Sequence, residues 1–251
     1  MRLPDFLIIG AARCGTTWLY ECLQAHRRLF LPAQKRPEPH FFLKEAEYAR
    51  GIDYYSDRYF RGVPDALVAG EASTSYLYRP HVAARIARHL PDVKMIALLR
   101  NPIDRAFSNY MVSVHNNLET LPFPEAIRRE PQRLARPRSP LAREICPQAY
   151  IDRGRYFAQL AVYLRHFRPD QLHVILFDDL VDRPAAVLGD FHRFLGVGAD
   201  DLPADITEPR NAGDYRGAVV DADDRHYILN QLTDDLHSLA RLLGRDLSHW
   251  K

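Results

Sequence analysis

The sequence predicts an α/β fold, one domain with a central parallel β-sheet flanked by helices, and three observations carry that prediction. Short apolar runs alternate with stretches of helical periodicity, the pattern of repeated strand–helix–strand units. The first run, Phe6 to Ile9, leads straight into a glycine-bounded turn and a helix. The second, Lys94 to Leu99, leads into Arg100-Asn101-Pro102 and another helix.

Phe6 to Ile9, Lys94 to Leu99 and His173 to Phe177 read as buried strands. Trp18, Leu19, Cys22 and Leu23 mark the apolar face of the helix after the first strand, and Phe107, Tyr110, Met111 and Val114 that of the helix after the second. Leu160, Ala161, Leu164 and Phe167 predict a third helix, and Val187, Leu188, Phe191, Phe194 and Leu195 a fourth. The last helix carries Ile228, Leu232, Leu236, Leu239 and Leu243. The proline-rich stretch Leu121 to Pro147 predicts a helix-poor excursion over the surface. Its arginines, Arg128, Arg129, Arg133, Arg136, Arg138 and Arg143, form a solvated face or guide an anionic acceptor.

With 251 residues and 47% hydrophobic content the chain can bury one substantial core, and no stretch reads as a flexible linker. A net charge of +2 and the lack of a basic stripe argue against wholesale nucleic-acid binding. Cys14, Cys22 and Cys146 are odd in number and lack metal-type spacing, so reduced thiols and a cytoplasmic setting are expected. The sequence starts almost directly on its first strand and holds no run of membrane-span length, which suits a bacterial-type protein or a trimmed one. Oligomeric state is not legible.

The turn after the first strand is built for an anion. Gly10 and Gly15 bracket four residues, so the backbone can curl with its N–H groups inward, and the helix that follows adds its positive dipole end. Thr16 and Thr17 add hydroxyl donors. An ordinary P-loop places Lys and then Ser or Thr after the second glycine, for the terminal phosphates and Mg²⁺. Here Thr16 stands in place of that Lys, and the cation, Arg13, lies inside the loop.

That departure resembles the sulfotransferases that use 3′-phosphoadenosine 5′-phosphosulfate (PAPS), P-loop relatives that need no metal. The segment Leu98-Leu99-Arg100-Asn101-Pro102-Ile103-Asp104-Arg105-Ala106-Phe107-Ser108-Asn109-Tyr110 resembles the family's 3′-phosphate motif. The resemblance implies that Arg13, Cys14, Gly15, Thr16, Thr17 and Trp18 hold the 5′-phosphosulfate, with the Trp18 ring itself reading as core. It also implies that Arg100 and Ser108 grip the 3′-phosphate, a task suited to the planar guanidinium fork.

The segment Lys35-Arg36-Pro37-Glu38-Pro39-His40-Phe41-Phe42 fixes a carboxylate between two prolines, with an apolar pair as anchor. It resembles the Glu-Pro-His-Phe-Phe element of glycan sulfotransferases, especially the heparan-sulfate 3-O-sulfotransferase branch. Carried over, Glu38 is the base that takes the acceptor hydroxyl's proton, His40 its neighbour in the acceptor site, and Lys35 an assisting cation. Gly70-Glu71-Ala72-Ser73-Thr74-Ser75-Tyr76 resembles the next element, which implies Ser73 and Thr74 as acceptor-site residues; Ala72 departs from it, standing where glycan enzymes often carry Lys. Gly154-Arg155-Tyr156 and the strand ending before Asp178-Asp179-Leu180 continue the family's order, so the resemblance spans nearly the whole chain. Arg210 and Arg216 fall where relatives close a late loop over PAPS.

Read without the resemblance, Glu38 and His40 are better taken as a surface carboxylate and a core histidine, and Arg100 and Ser108 are equally a salt-bridging Arg and a helix Ser. The expected function is transfer of the PAPS sulfuryl group to an acceptor hydroxyl, on a saccharide or a small-molecule or lipid alcohol, leaving 3′-phosphoadenosine 5′-phosphate (PAP). A P-loop kinase and a non-catalytic nucleotide-binding module are the alternatives. Mg²⁺ dependence would mark the kinase, and a rigidly placed base has no use in a pure binder.

Overall fold

The computed structural model describes residues 1–32, 38–136, 139, 143–198 and 220–250. Five strands form one parallel sheet: β1 (Phe6–Gly10), β2 (Leu29–Phe30), β3 (Val68–Ala72), β4 (Lys94–Leu99) and β5 (Leu172–Leu176), in the order β2-β3-β1-β4-β5. The three predicted strands are β1, β4 and β5, with Phe177 starting a helix rather than ending a strand. β1 is central, pairing Phe6 with Gly70 of β3 on one side and with Lys94 of β4 on the other. Phe6 to Ile9 are wholly buried, which is why this strand reads as an unbroken apolar run.

β3 escaped the sequence reading because Gly70 and Glu71 interrupt its apolar pattern. Gly70 is required by packing: a Cβ there would lie 2.2 Å from the Phe6 ring. The described residues of Met1–Leu99 and Val162–Ala212 form one compact unit, and those of Arg100–Ala161 and Gly213–Lys251 another.

In the second unit the helix Pro102–His115 opens on an Asn101 cap whose side chain accepts from Ile103 N at 3.0 Å. Its buried face is not the predicted one. Ile103, Arg105, Ala106, Ser108, Asn109 and Ser113 are buried, whereas Val114 is exposed, because the polar side chains find partners. Arg105 donates to the Tyr150 carbonyl, and Asn109 Nδ2 to the Pro147 carbonyl at 2.6 Å.

The predicted helix-poor excursion is corrected too, since Phe123–Ala135 is a helix. Pro122 and Pro124 sit at its start, where missing N–H groups cost nothing, and Phe123, Ala126, Ile127 and Glu130 give it a buried face. Phe123 packs on Phe107 and Tyr110 with ring centroids 5.2 Å apart in both pairs. Two of its arginines are structural rather than merely solvated: Arg128 bridges buried Asp224 at 2.6 Å, and Arg133 pairs with buried Glu119. Arg138 lies outside the described residues. The third predicted helix, Tyr156–Tyr163, ends before Leu164 and Phe167, and the fourth and last are Pro184–Leu195 and Ala222–Leu243.

Candidate active site

Parallel strands bring the ends of β1, β3 and β4 to one edge of the sheet, where crevices of α/β folds bind ligands. The loop after β1 is strained in the way an anion cradle requires. Gly15 takes φ +86° and Arg13 φ +73°, both left-handed, and a Cβ on Gly15 would lie 2.7 Å from the Phe177 ring. Ala11 N donates to the Leu98 carbonyl at 2.8 Å, pinning the loop to β4.

Gly15 caps the helix Thr16–Gln24 without a side chain, and its first turn holds no acidic residue. That helix start therefore suits an anion, with the Thr16, Thr17 and Trp18 N–H groups among its unsatisfied donors. Cys14 and Trp18 are buried, so an anion could meet their backbone alone, while Arg13 and Thr17 keep partial exposure. All three cysteines are free thiols.

The loop touches the segment that follows β3. A Cβ on Gly10 would lie 3.0 Å from the Thr74 carbonyl and 2.9 Å from Leu77 Cβ, so only glycine fits at this approach. Thr74 in turn donates its N–H to Glu38 at 2.8 Å and its hydroxyl at 3.0 Å. His40 Nε2 lies 3.3 Å from the same carboxylate, and both side chains are mostly covered, 14% exposed for His40 and 16% for Glu38. His40 itself takes φ +49°. Its N–H donates to Ser73 Oγ at 2.9 Å. Glu38, His40, Ser73 and Thr74 are thus brought together; Lys35 lies outside the described residues.

Behind them is a group that the sequence reading gave no role. Glu71 is fully buried and accepts from Ser73 Oγ at 2.9 Å and from Tyr55 OH at 3.1 Å. Burial pushes its carboxyl up to about 7, against these hydrogen bonds, which favour the charged form. The only sequence signal was an acid inside an otherwise apolar run.

Arg100 is the residue that follows β4, with its guanidinium 3.8 Å from Asp104 and its carbonyl accepting from Tyr156 OH at 2.9 Å. Ser108 is buried two turns along the following helix. Arg210 and Arg216 lie outside the described residues. Among the described residues no cluster of three or more His, Cys, Asp or Glu could hold a metal ion, and no helix is long and apolar enough to cross a membrane.

Residues 3–210 match the family model of the sulfotransferase domain. The human bifunctional heparan sulfate N-deacetylase/N-sulfotransferase 3 is 33% identical over 204 residues, which cover 78% of this chain and 22% of that protein. The chain thus spans about a fifth of the length of that curated relative. A sulfotransferase crystal structure from Alicyclobacillus acidocaldarius superposes with a TM-score of 0.84 at 34% identity, covering 100% of this chain and 99% of that one. Mouse SULT7A1, solved in complex with PAP, shares the fold, with a TM-score of 0.50 at 13% identity over 92% of this chain and 63% of its own. With a matching domain model over most of its length and a relative that superposes from end to end, the chain belongs to the sulfotransferase domain family.

Proposed function

We propose that this protein transfers the sulfuryl group of PAPS to an acceptor hydroxyl, with Glu38 as general base and without a divalent metal. The observation that carries this reading is the approach of Gly10 to Thr74, which sets the anion cradle directly beside a clamped carboxylate. In the proposed step the acceptor oxygen attacks sulfur in line, its proton passes to Glu38, and the breaking S–O bond leaves its electron pair on the phosphate of PAP. Arg13 stabilises the charge that gathers on that phosphate; its guanidinium does not give up a proton, so it acts electrostatically and not as an acid. Cys14, Gly15, Thr16, Thr17 and Trp18 offer backbone N–H groups, and Arg100 and Ser108 recognise the 3′-phosphate. Lys35, Arg210 and Arg216 are proposed as further cations for the bound nucleotide and acceptor.

The human relative favours a second acceptor class, since it is named as an N-sulfotransferase. An amine attacking sulfur also sheds a proton, so the same base serves. An acceptor screen with labelled PAPS in EDTA tests both readings by the mass gain of one sulfuryl group. Matched saccharides that differ only in a free amine or its acetylated form separate nitrogen from oxygen transfer. A chain that modifies neither class of acceptor would overturn the proposal.

A further inference from the structure

We propose that Glu71 is a positioning residue for the acceptor base, holding the segment that carries Glu38 and His40 through two hydroxyl arms, Ser73 and Tyr76. The inference rests on reading Glu38 as that base. His40 N donates to Ser73 Oγ at 2.9 Å, and Phe42 N donates to Tyr76 OH at 3.2 Å. Ser73 Oγ donates its own hydrogen bond to Glu71 at 2.9 Å, and the Tyr76 hydroxyl sits beside the same carboxylate, whose charge together with burial keeps that hydroxyl in its proton-bearing form. A hydroxyl has one proton and two lone pairs. Once that proton is committed to a carboxylate, the lone pairs are left facing the N–H groups of the segment. The charge on Glu71 therefore sets the direction of both arms.

The arms anchor the backbone two and four residues after Glu38, and Thr74, next to Ser73, clamps the Glu38 carboxylate itself. Tyr55 OH holds the other Glu71 oxygen at 3.1 Å, which fixes the plane of the carboxylate. Packing alone gives no reason for an acid here. Its neighbours in β3 are Val68, Ala69, Gly70 and Ala72, and a buried carboxylate costs desolvation that an apolar side chain would not. What the acid supplies is polarity for three hydroxyls at once.

The ionisable groups that act on Glu71 are Tyr20 from Thr16–Gln24, Tyr55 and Tyr59 from Ile52–Tyr59, Tyr76, and Glu38. Burial brings the Glu71 carboxyl to about 7, so its arms switch near neutral pH. Below that value the neutral acid must donate a proton, and one hydroxyl loses its acceptor. Transfer should rise through the same range as the carboxylate forms.

The test compares wild type with Glu71→Gln, Ser73→Ala and Tyr76→Phe. The last two keep Glu71 and each cut one arm, which guards against a Glu71→Gln variant that fails to fold. Amide exchange by NMR reads the positioning directly: the His40 and Phe42 amides should exchange at least about tenfold faster in Glu71→Gln, with β1 and β4 unchanged. Steady-state kinetics should show kcat down by about tenfold or more, PAP affinity unchanged, and the limb of the pH profile near neutrality erased. Adding Ser73→Ala to Glu71→Gln should cost little more than Glu71→Gln alone. Unchanged exchange at His40 and Phe42, or a wild-type pH profile in Glu71→Gln, would overturn the inference. A wild-type protein that sulfates nothing would instead overturn the sulfotransferase reading, and the exchange measurement would still decide whether Glu71 holds the segment.

Discussion

Thr74 clamps Glu38 twice, giving its backbone N–H to the carboxylate at 2.8 Å and its hydroxyl at 3.0 Å. The clamp rises from the end of β3 and holds a side chain carried by a distant loop, so the position of the acid is set by the sheet and not by the loop alone. A group held in one orientation beside a cradle for an anion is what general base catalysis needs.

Glu38→Gln keeps the shape and one acceptor oxygen but removes the base. Sulfation should fall by at least about a hundredfold while PAP affinity and melting temperature stay at wild-type values. Single-turnover transfer measures it. A variant that transfers at the wild-type rate would move the base elsewhere, and His40, 3.3 Å from the Glu38 carboxylate, is the next candidate.

Arg13→Ala should lower kcat more than nucleotide affinity, because its charge meets charge that develops as the S–O bond breaks. EDTA should leave turnover unchanged. An equal loss in binding and turnover would make Arg13 a simple ground-state contact, and loss of activity in EDTA would return the kinase reading.

His192 gives a prediction on stability. Its ring is buried, packs tilted against His26 with centroids 4.4 Å apart, and has neither nitrogen hydrogen-bonded among the described residues. Burial, with the neighbouring His26 charge, pushes it down to about 4 from an ordinary 6.5. Between those values the unfolded chain binds a proton that the folded chain refuses, so this residue lowers stability as pH falls from 6.5 towards 4 and contributes nothing to the slope above 6.5. The loss is on the order of 3 kcal/mol by the acid end. Buried Glu71 and Glu130, both raised to about 7, act in the opposite sense, so the difference between wild type and His192→Phe isolates the histidine. Urea unfolding at several pH values should show the wild type losing more stability than the variant on acidification. Parallel curves would refute the assignment.

Of the three strands that the sequence displayed, β1 and β4 are buried on both faces, with four or five apolar residues running together before a glycine or an arginine, and β5 is only half-buried but keeps a short apolar run. β3 was hidden because Gly70 answers to the Phe6 ring and Glu71 to the hydroxyls of Ser73 and of Tyr55 on another helix, neither of which leaves an apolar pattern in the strand. The helix Phe123–Ala135 was hidden by its prolines: Pro122 and Pro124 fall at its start, where they suit a helix, and Pro131 lies inside it, tolerated on a helix held by its buried face. Val114 was misplaced because Arg105, Asn109 and Ser113, polar in sequence, are buried by partners elsewhere in the chain. The cradle and the Glu38 segment were legible because each is contiguous; the Glu71 cluster gathers Phe42, Tyr55, Ser73 and Tyr76 across several elements and was not.

Calorimetric titration of the protein with PAP and with ADP, each in EDTA, tests the central claim most directly, because the 3′-phosphate separates the sulfuryl donor from every ordinary nucleotide. We expect PAP to bind at least about tenfold more tightly than ADP, with Arg100→Ala erasing most of that preference, as loss of a charge-assisted hydrogen bond of roughly 1.5 to 3 kcal/mol requires. Equal affinity for the two nucleotides, or binding that appears only when Mg²⁺ is added, would contradict the account.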